Sequence, residues 1–320
     1  MRLRNIFFLL IATLVIACGG SDDGIGSGNE ENNSSNSNST NINTNTTVRE
    51  RTNVNNNSAL EFAKRPEVPK LHNGENDMFV VHTTEYGVNY IVEWDCKKRA
   101  QRWVAYEMLM GGSYYPKSWN RNNWKNTEWH GDPFQVDPDI PAEYRTNPNQ
   151  IYDTQYFMSR GHMCPSADRL RSKEVNEQTY YMSNIVPQNS ALNEGIWLDM
   201  ENKLRSWVNS KTTVYVVKGS TMDNANDIMG YNIYGLLIPK YFYMAFILKN
   251  SLGYYGLAFW TEHHTNKNHS GENLYDYAIT IDELEKRTGI DFFCNLPDDI
   301  ENQAESRIIY STWGLTSSKK

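Results

Sequence analysis

Cysteine is scarce in this sequence: four residues in 320, at positions 18, 96, 164 and 294. None of the spacings matches a pair of metal-ligating cysteines, so no structural zinc site is expected. Long apolar runs are missing too. The run at the N-terminus, from Ile6 to Ala17, is too short to cross a bilayer as a helix. Positive charge is in deficit, with 31 Lys and Arg against 38 Asp and Glu and a formal net charge of −7. That balance argues against a protein that holds nucleic acid through a broadly basic surface, while a local basic site stays open. From about residue 76 onward there is no Pro/Gly-rich break, charge run or internal repeat, so a single domain is expected there.

What is present begins with an export signal. Arg2 and Arg4 precede the short apolar run, which closes on Val15-Ile16-Ala17-Cys18 and resembles a bacterial lipobox. The expectation is a signal peptide over residues 1–17 and a lipid anchor on Cys18. The alternative is a plain secretory signal with an incidental cysteine. Asp22 and Asp23 just behind Cys18 resemble the surface-export signal of some Gram-negative lipoproteins. Outer membrane or cell surface is therefore the expected location, with a periplasm-facing protein as the alternative. The Asn, Ser and Thr that follow, as in "NSSNSNSTNINTNTTV", cannot bury enough apolar surface to offset the entropy of ordering. Residues 18–75 are expected to be a disordered tether and residues 76–320, with all nine tryptophans, the folded domain. Three cysteines remain once Cys18 carries lipid. One disulfide plus one free thiol suits an exported chain, and the spacing does not decide the pairing.

"NYIVEWD" and "RWVAYEML" alternate and carry β-branched and aromatic residues, which predicts a hairpin. "TVYVVKGS", "YFYMAFIL" and "GYYGLAFW" predict further strands. Helical spacing puts Ile196, Trp197, Met200, Leu204, Trp207 and Val208 on one stripe, and "TIDELEKRTGI" predicts a helix from Thr280 or Asp282 to near Gly289. Runs of strands with fewer helices give an α+β class around a mostly antiparallel sheet with packed helices.

Two segments carry chemistry. In "FMSRGHMCPSADRL", Arg160 and His162 flank Gly161, whose missing side chain would let a bulky anion approach the backbone. A histidine of ordinary pKa takes a proton from water, losing that ability at about pH 6 to 7. An arginine two residues away on the same strand face can grip a phosphate oxygen. In "NEGIWLDMENKLRSW", Asn193 falls at a helix start, and Glu201 and Arg205 sit together at the edge of the apolar stripe. Each has a plain structural reading: a buried, satisfied histidine, a helix N-cap, an ordinary i,i+4 ion pair.

The combination resembles the DNA/RNA non-specific endonucleases of the ββα-metal superfamily, which include endonuclease G-like secreted bacterial nucleases. It rests on Ser159-Arg160-Gly161-His162, Pro165-Ser166-Ala167-Asp168-Arg169, Ser183-Asn184-Ile185-Val186-Pro187-Gln188 and Asn193-Glu194-Gly195-Ile196-Trp197 with Glu201, in that order, within residues 76 to 315. The resemblance implies a ββα-metal catalytic motif. His162 would be the general base that deprotonates the attacking water, and Asn193 the one direct protein ligand of Mg2+, with Mn2+ or another divalent cation as alternatives. Glu201 would hold the metal's water shell, and Arg160 and Arg205 would grip the scissile phosphate. Arg121, before Trp129 and Asp132-Pro133, matches a further family arginine at a looser spacing. Ser159 stands where most members have Asp.

The implied function is metal-dependent hydrolysis of DNA and RNA without sugar or sequence preference. Its partners would be those substrates and a membrane reached through the lipid anchor, with no obligate protein partner evident. The alternative from another class is a surface lipoprotein that binds nucleic acid or glycan without cleaving it. Such a protein has no need of His162, Asn193 and Glu201 together. A small-substrate phosphatase or phosphodiesterase ranks third.

Overall fold

The computed structural model describes residues 52, 53, 55–57, 60–126, 131–151, 158–263 and 265–317. The signal segment, Cys18, most of the expected tether and Trp129 lie outside the described residues.

Three strands open the domain: β1 (Asp77–Thr84), β2 (Gly87–Asp95) and β3 (Ala100–Met108). A two-stranded ribbon follows, β4 (Met158–His162) and β5 (Ile185–Asn189), with the short helix α1 (Lys173–Glu177) between its strands. Next come α2 (Ser190–Asn193), α3 (Ile196–Trp207) and β6 (Thr213–Ser220). A small hairpin, β7 (Ile228–Tyr231) with β8 (Leu237–Pro239), leads into β9 (Tyr241–Asn250), β10 (Gly253–Glu262) and β11 (Ala278–Ile279). The chain closes with α4 (Ile281–Thr288), α5 (Asp298–Glu305) and α6 (Tyr310–Trp313).

β1-β2-β3-β6-β9-β10-β11 form one antiparallel sheet, so the α+β class holds. Its strands are apolar on both faces because both are covered. Val104, Tyr106, Val214, Val216, Phe242 and Phe246 face a core shared with α3, while Trp103, Val217, Tyr243 and Ala245 face a second core shared with α4 and α5. α3 buries the predicted stripe of Ile196, Trp197, Met200, Leu204 and Trp207. α4 begins at its Thr280 cap, which accepts from the Glu283 N–H at 3.1 Å, and ends at Gly289 in the left-handed region with φ +72°. No helix among the described residues is long and apolar enough to cross a membrane.

The folded part starts upstream of the expected boundary at residue 76. Ala63 and Val68 are fully buried, and the Asn57 amide donates to the Ala63 and Pro69 carbonyls. Asparagine behaves here as a backbone ligand, which composition alone does not distinguish from tether. Cys96, Cys164 and Cys294 are all free and buried.

Candidate active site

The β4–β5 ribbon carries His162 at the end of β4, opposite Ile185. Asn184 fixes the turn that follows. Its side chain accepts from the Cys164 N–H at 2.7 Å and donates to the Cys164 and Thr179 carbonyls at 2.8 and 2.7 Å. Arg160 and His162 share a strand face, as their spacing requires, and both pack on Phe134: the guanidinium lies 3.8 Å from the ring centroid and the imidazole 5.2 Å. Tyr180 meets the His162 ring edge-on at 5.1 Å. His162 is partly exposed as a residue, but its Nε2 is buried without a hydrogen-bond partner among the described residues. Burial, and then the charges of Arg121, Arg160 and Lys218, pull its pKa down to about 3. This corrects the expectation of an ordinary histidine.

Gly161 has a different purpose from the expected one. A Cβ there would lie 2.2 Å from Gln188 Oε1 and 2.6 Å from its Cβ, so the close approach is to the neighbouring strand's side chain and not to a ligand. Gly195 resolves another expectation. Asn193 is the last residue of α2 and not a helix start. The chain turns between the helices at Gly195, where a Cβ would fall 1.8 Å from the Asn268 carbonyl oxygen. Asn189 supplies the cap of α2, so the capping reading of Asn193 does not apply.

Asn193 instead faces β4, with its Nδ2 3.4 Å from Ser159 Oγ. Ser159 donates to the Gln188 carbonyl at 2.9 Å. Among the described residues no group donates to Asn193 Oδ1, which leaves a neutral oxygen suited to a hard divalent cation.

Glu201 and Arg205 meet at 3.3 Å as expected, but they belong to a larger network. Arg205 Nε donates to the buried Asp168 at 2.6 Å and its Nη1 to Asn202 at 2.8 Å. Although burial opposes the charge, Asp168 and Glu201 hold Arg205 above its usual pKa. The other Glu201 oxygen accepts at 2.9 Å from Lys218 on β6, whose side chain is fully buried. Lys218 and Asp168 were missing from the expected site. The lysine had a signal: it interrupts the Val214, Val216 face of "TVYVVKGS", where an unpaired charge is too costly to bury. Arg169 is structural. Fully buried, it donates to the Asn89, Glu107 and Asp168 carbonyls.

Arg121 is exposed on a 3-10 turn, Arg121–Asn126, and its charge acts on both His162 and Tyr180. Trp119 and Trp124 bracket it, and both indole N–H groups donate to Asn176 Oδ1, at 3.2 and 2.6 Å. Arg160 Nη1 donates to Asp132 at 3.0 and 2.9 Å. Elsewhere, buried His82 lies 3.1 Å from Asp137 and 3.5 Å from Asp139, and Ser183 donates to Asp137. Burial opposes the charge on His82, but these carboxylates outweigh it and raise the pKa.

An antiparallel sheet flanked by helices, with an uncharged histidine, an open amide oxygen and several arginines collected around one β-ribbon, defines a hydrolase that handles anionic esters. The chain belongs to the DNA/RNA non-specific endonuclease family, whose model matches residues 72–299. It is 30% identical over 211 residues to a nuclease of Serratia marcescens, covering 64% of this chain and 73% of that one. It is 27% identical over 228 residues to a nuclease of a Nostoc species, covering 68% and 76%. In fold it is similar to a chain in the crystal structure of the EndoG/EndoGI complex, with TM-score 0.55, 18% identity, and coverage of 71% of this chain and 91% of that one. It is thus a phosphodiester-hydrolysing endonuclease.

Proposed function

We propose that this chain hydrolyses both DNA and RNA without regard to sequence, with His162 as general base and Asn193 as the protein ligand of Mg2+ or another divalent cation. The observation that carries this reading is an imidazole kept neutral by burial and neighbouring cations, its Nε2 without a hydrogen-bond partner among the described residues. A neutral imidazole accepts a proton from water, and the water oxygen then attacks phosphorus as the bond to the leaving oxygen breaks. A bound cation would stabilise the charge that builds on the phosphate oxygens. Asn193 would hold that cation with its open Oδ1, and Ser159 would keep the amide in place. Glu201 would order the water around the cation while Lys218 and Arg205 fix its carboxylate.

Arg205 uses three of its five N–H donors on Asp168, Asn202 and Glu201, which leaves two for a phosphate. Arg160 would exchange its exposed partner Asp132 for phosphate, and Arg121 would add charge from the rim. Local cations on an acidic chain suffice for this, since contacts to the phosphate backbone carry no base information.

Asn193→Ala is expected to abolish cleavage or to shift the magnesium requirement far above the wild type's, which should lie in roughly the tens of micromolar to millimolar range for a site built mostly from water and substrate. Magnesium titration of plasmid cleavage checks this. Undiminished cutting by wild type in EDTA contradicts the reading.

The same proposal places the enzyme at the outer membrane or cell surface on a Cys18 lipid anchor, on the strength of the Val15-Ile16-Ala17-Cys18 sequence. Cys18→Ser should release the nuclease from the membrane fraction or block signal processing. Normal processing with unchanged membrane retention rules the anchor out.

A further inference from the structure

On the sheet face opposite α3, the helices α4 and α5 bring together Asp282, Glu285 and Glu305, and one carboxylate oxygen from each lies within 4.8 Å of the others. Glu305 is only 5% exposed, and its Oε1 is buried without a hydrogen-bond partner among the described residues. Asp282 and Glu285 are partly exposed, so the cluster opens to solvent. Among the described residues none of the three is in an ion pair. The nearby Arg287 is engaged by Glu283 at 2.9 Å. Glu285 Oε1 is held by the Phe292 N–H at 2.8 Å, and the Asn55 amide steadies Glu301 and Asp291 at 2.9 and 3.2 Å.

We propose that Asp282, Glu285 and Glu305 form a calcium site that stabilises the α4–α5 face, remote from the nuclease site. A buried carboxylate with an unsatisfied oxygen, surrounded by others of the same sign, needs either a proton or a cation. Burial and the neighbouring carboxylates push Glu305, Glu285 and Glu301 above the usual carboxylate range, the direction expected of a group short of positive charge. The donors are all oxygen, which selects a hard cation over zinc or copper. Calcium accepts irregular carboxylate arrangements, whereas magnesium demands a near-ideal octahedron and keeps its waters.

Thermal unfolding of the full chain at neutral pH tests this, with calcium added to protein first stripped of metal. At roughly 5 mM calcium the midpoint should rise by about 3 to 6 °C for an affinity in the submillimolar range, and less with magnesium. The shift should persist in Asn193→Ala, which separates it from metal bound at the nuclease site, and should vanish in Glu305→Gln. Asp282→Asn serves as a second variant and should weaken it. No calcium shift in wild type, or an equal shift in Glu305→Gln, overturns the proposal; a midpoint that responds to pH but not to calcium means that the carboxylates share a proton instead. Plasmid cleavage is not the readout, so either result leaves the nuclease reading intact.

Discussion

Replacing His162 by alanine should cut the rate of DNA hydrolysis by about a hundred- to ten-thousandfold, the usual worth of a positioned general base. The fold and substrate binding should survive, because the charged groups of the site are held by other residues: Arg205 by Asp168 and Glu201, Lys218 by Glu201, and Arg160 by Asp132. The pH dependence adds a signature that a merely structural histidine lacks. With its pKa pulled down to about 3, His162 is unprotonated throughout the neutral range. A kcat/KM profile should therefore keep its plateau through pH 6, with any acid limb from this group falling well below it. A limb centred at pH 6 to 7 would place an ordinary histidine at the base. The sign for stability follows from linkage. The unfolded chain takes up this proton near pH 6.5 and the folded chain only near 3, so the contribution is complete above about 6.5 and is lost as pH falls toward 3.

Lys218→Ala should destabilise the domain by about 3 to 5 kcal/mol, because it breaks a fully buried ion pair and leaves Glu201 with Arg205 alone. For a domain of this size the unfolding midpoint should fall by roughly 6 to 20 °C. Replacing both partners, Lys218→Met with Glu201→Met, should recover much of that loss because neither member of the pair is left as an unmatched charge, while activity stays low because Glu201 is gone and Arg205 loses a partner. Calorimetry on the three variants checks this. A Lys218→Ala midpoint within 2 °C of wild type would mean that the pair is open to water.

These expectations follow the line between what the sequence displayed and what it hid. The strands were legible because their apolar and aromatic alternation is local, and α4 was legible down to its Thr280 and Gly289 ends because caps are local. Arg160, His162, Asn193, Glu201 and Arg205 stood out because they fall in short ordered elements of "SRGH" and "NEGIW" type. Lys218 interrupts an apolar strand face and Asp168 falls within a quoted element, but their roles were hidden because their partners, Glu201 and Arg205, lie far along the chain. The depressed histidine was illegible for the same reason: its burial comes from Phe134 and Tyr180, and two of its three cations from Arg121 and Lys218. The role of Gly161 was misread because a glycine's need for space does not say who fills it; here it is Gln188. β1 was absent from the expected strands, and the packing of residues 60–75 was hidden by composition.

The most direct measurement is a comparison of wild type and His162→Ala, both shown folded by circular dichroism, on one double-stranded DNA and one RNA at saturating magnesium. Wild type should cut both substrates and stop in EDTA, and the variant should bind DNA comparably while cutting at least about a hundredfold more slowly. A variant that cuts within a few-fold of wild type would place the base elsewhere and return His162 to a structural role among the arginines.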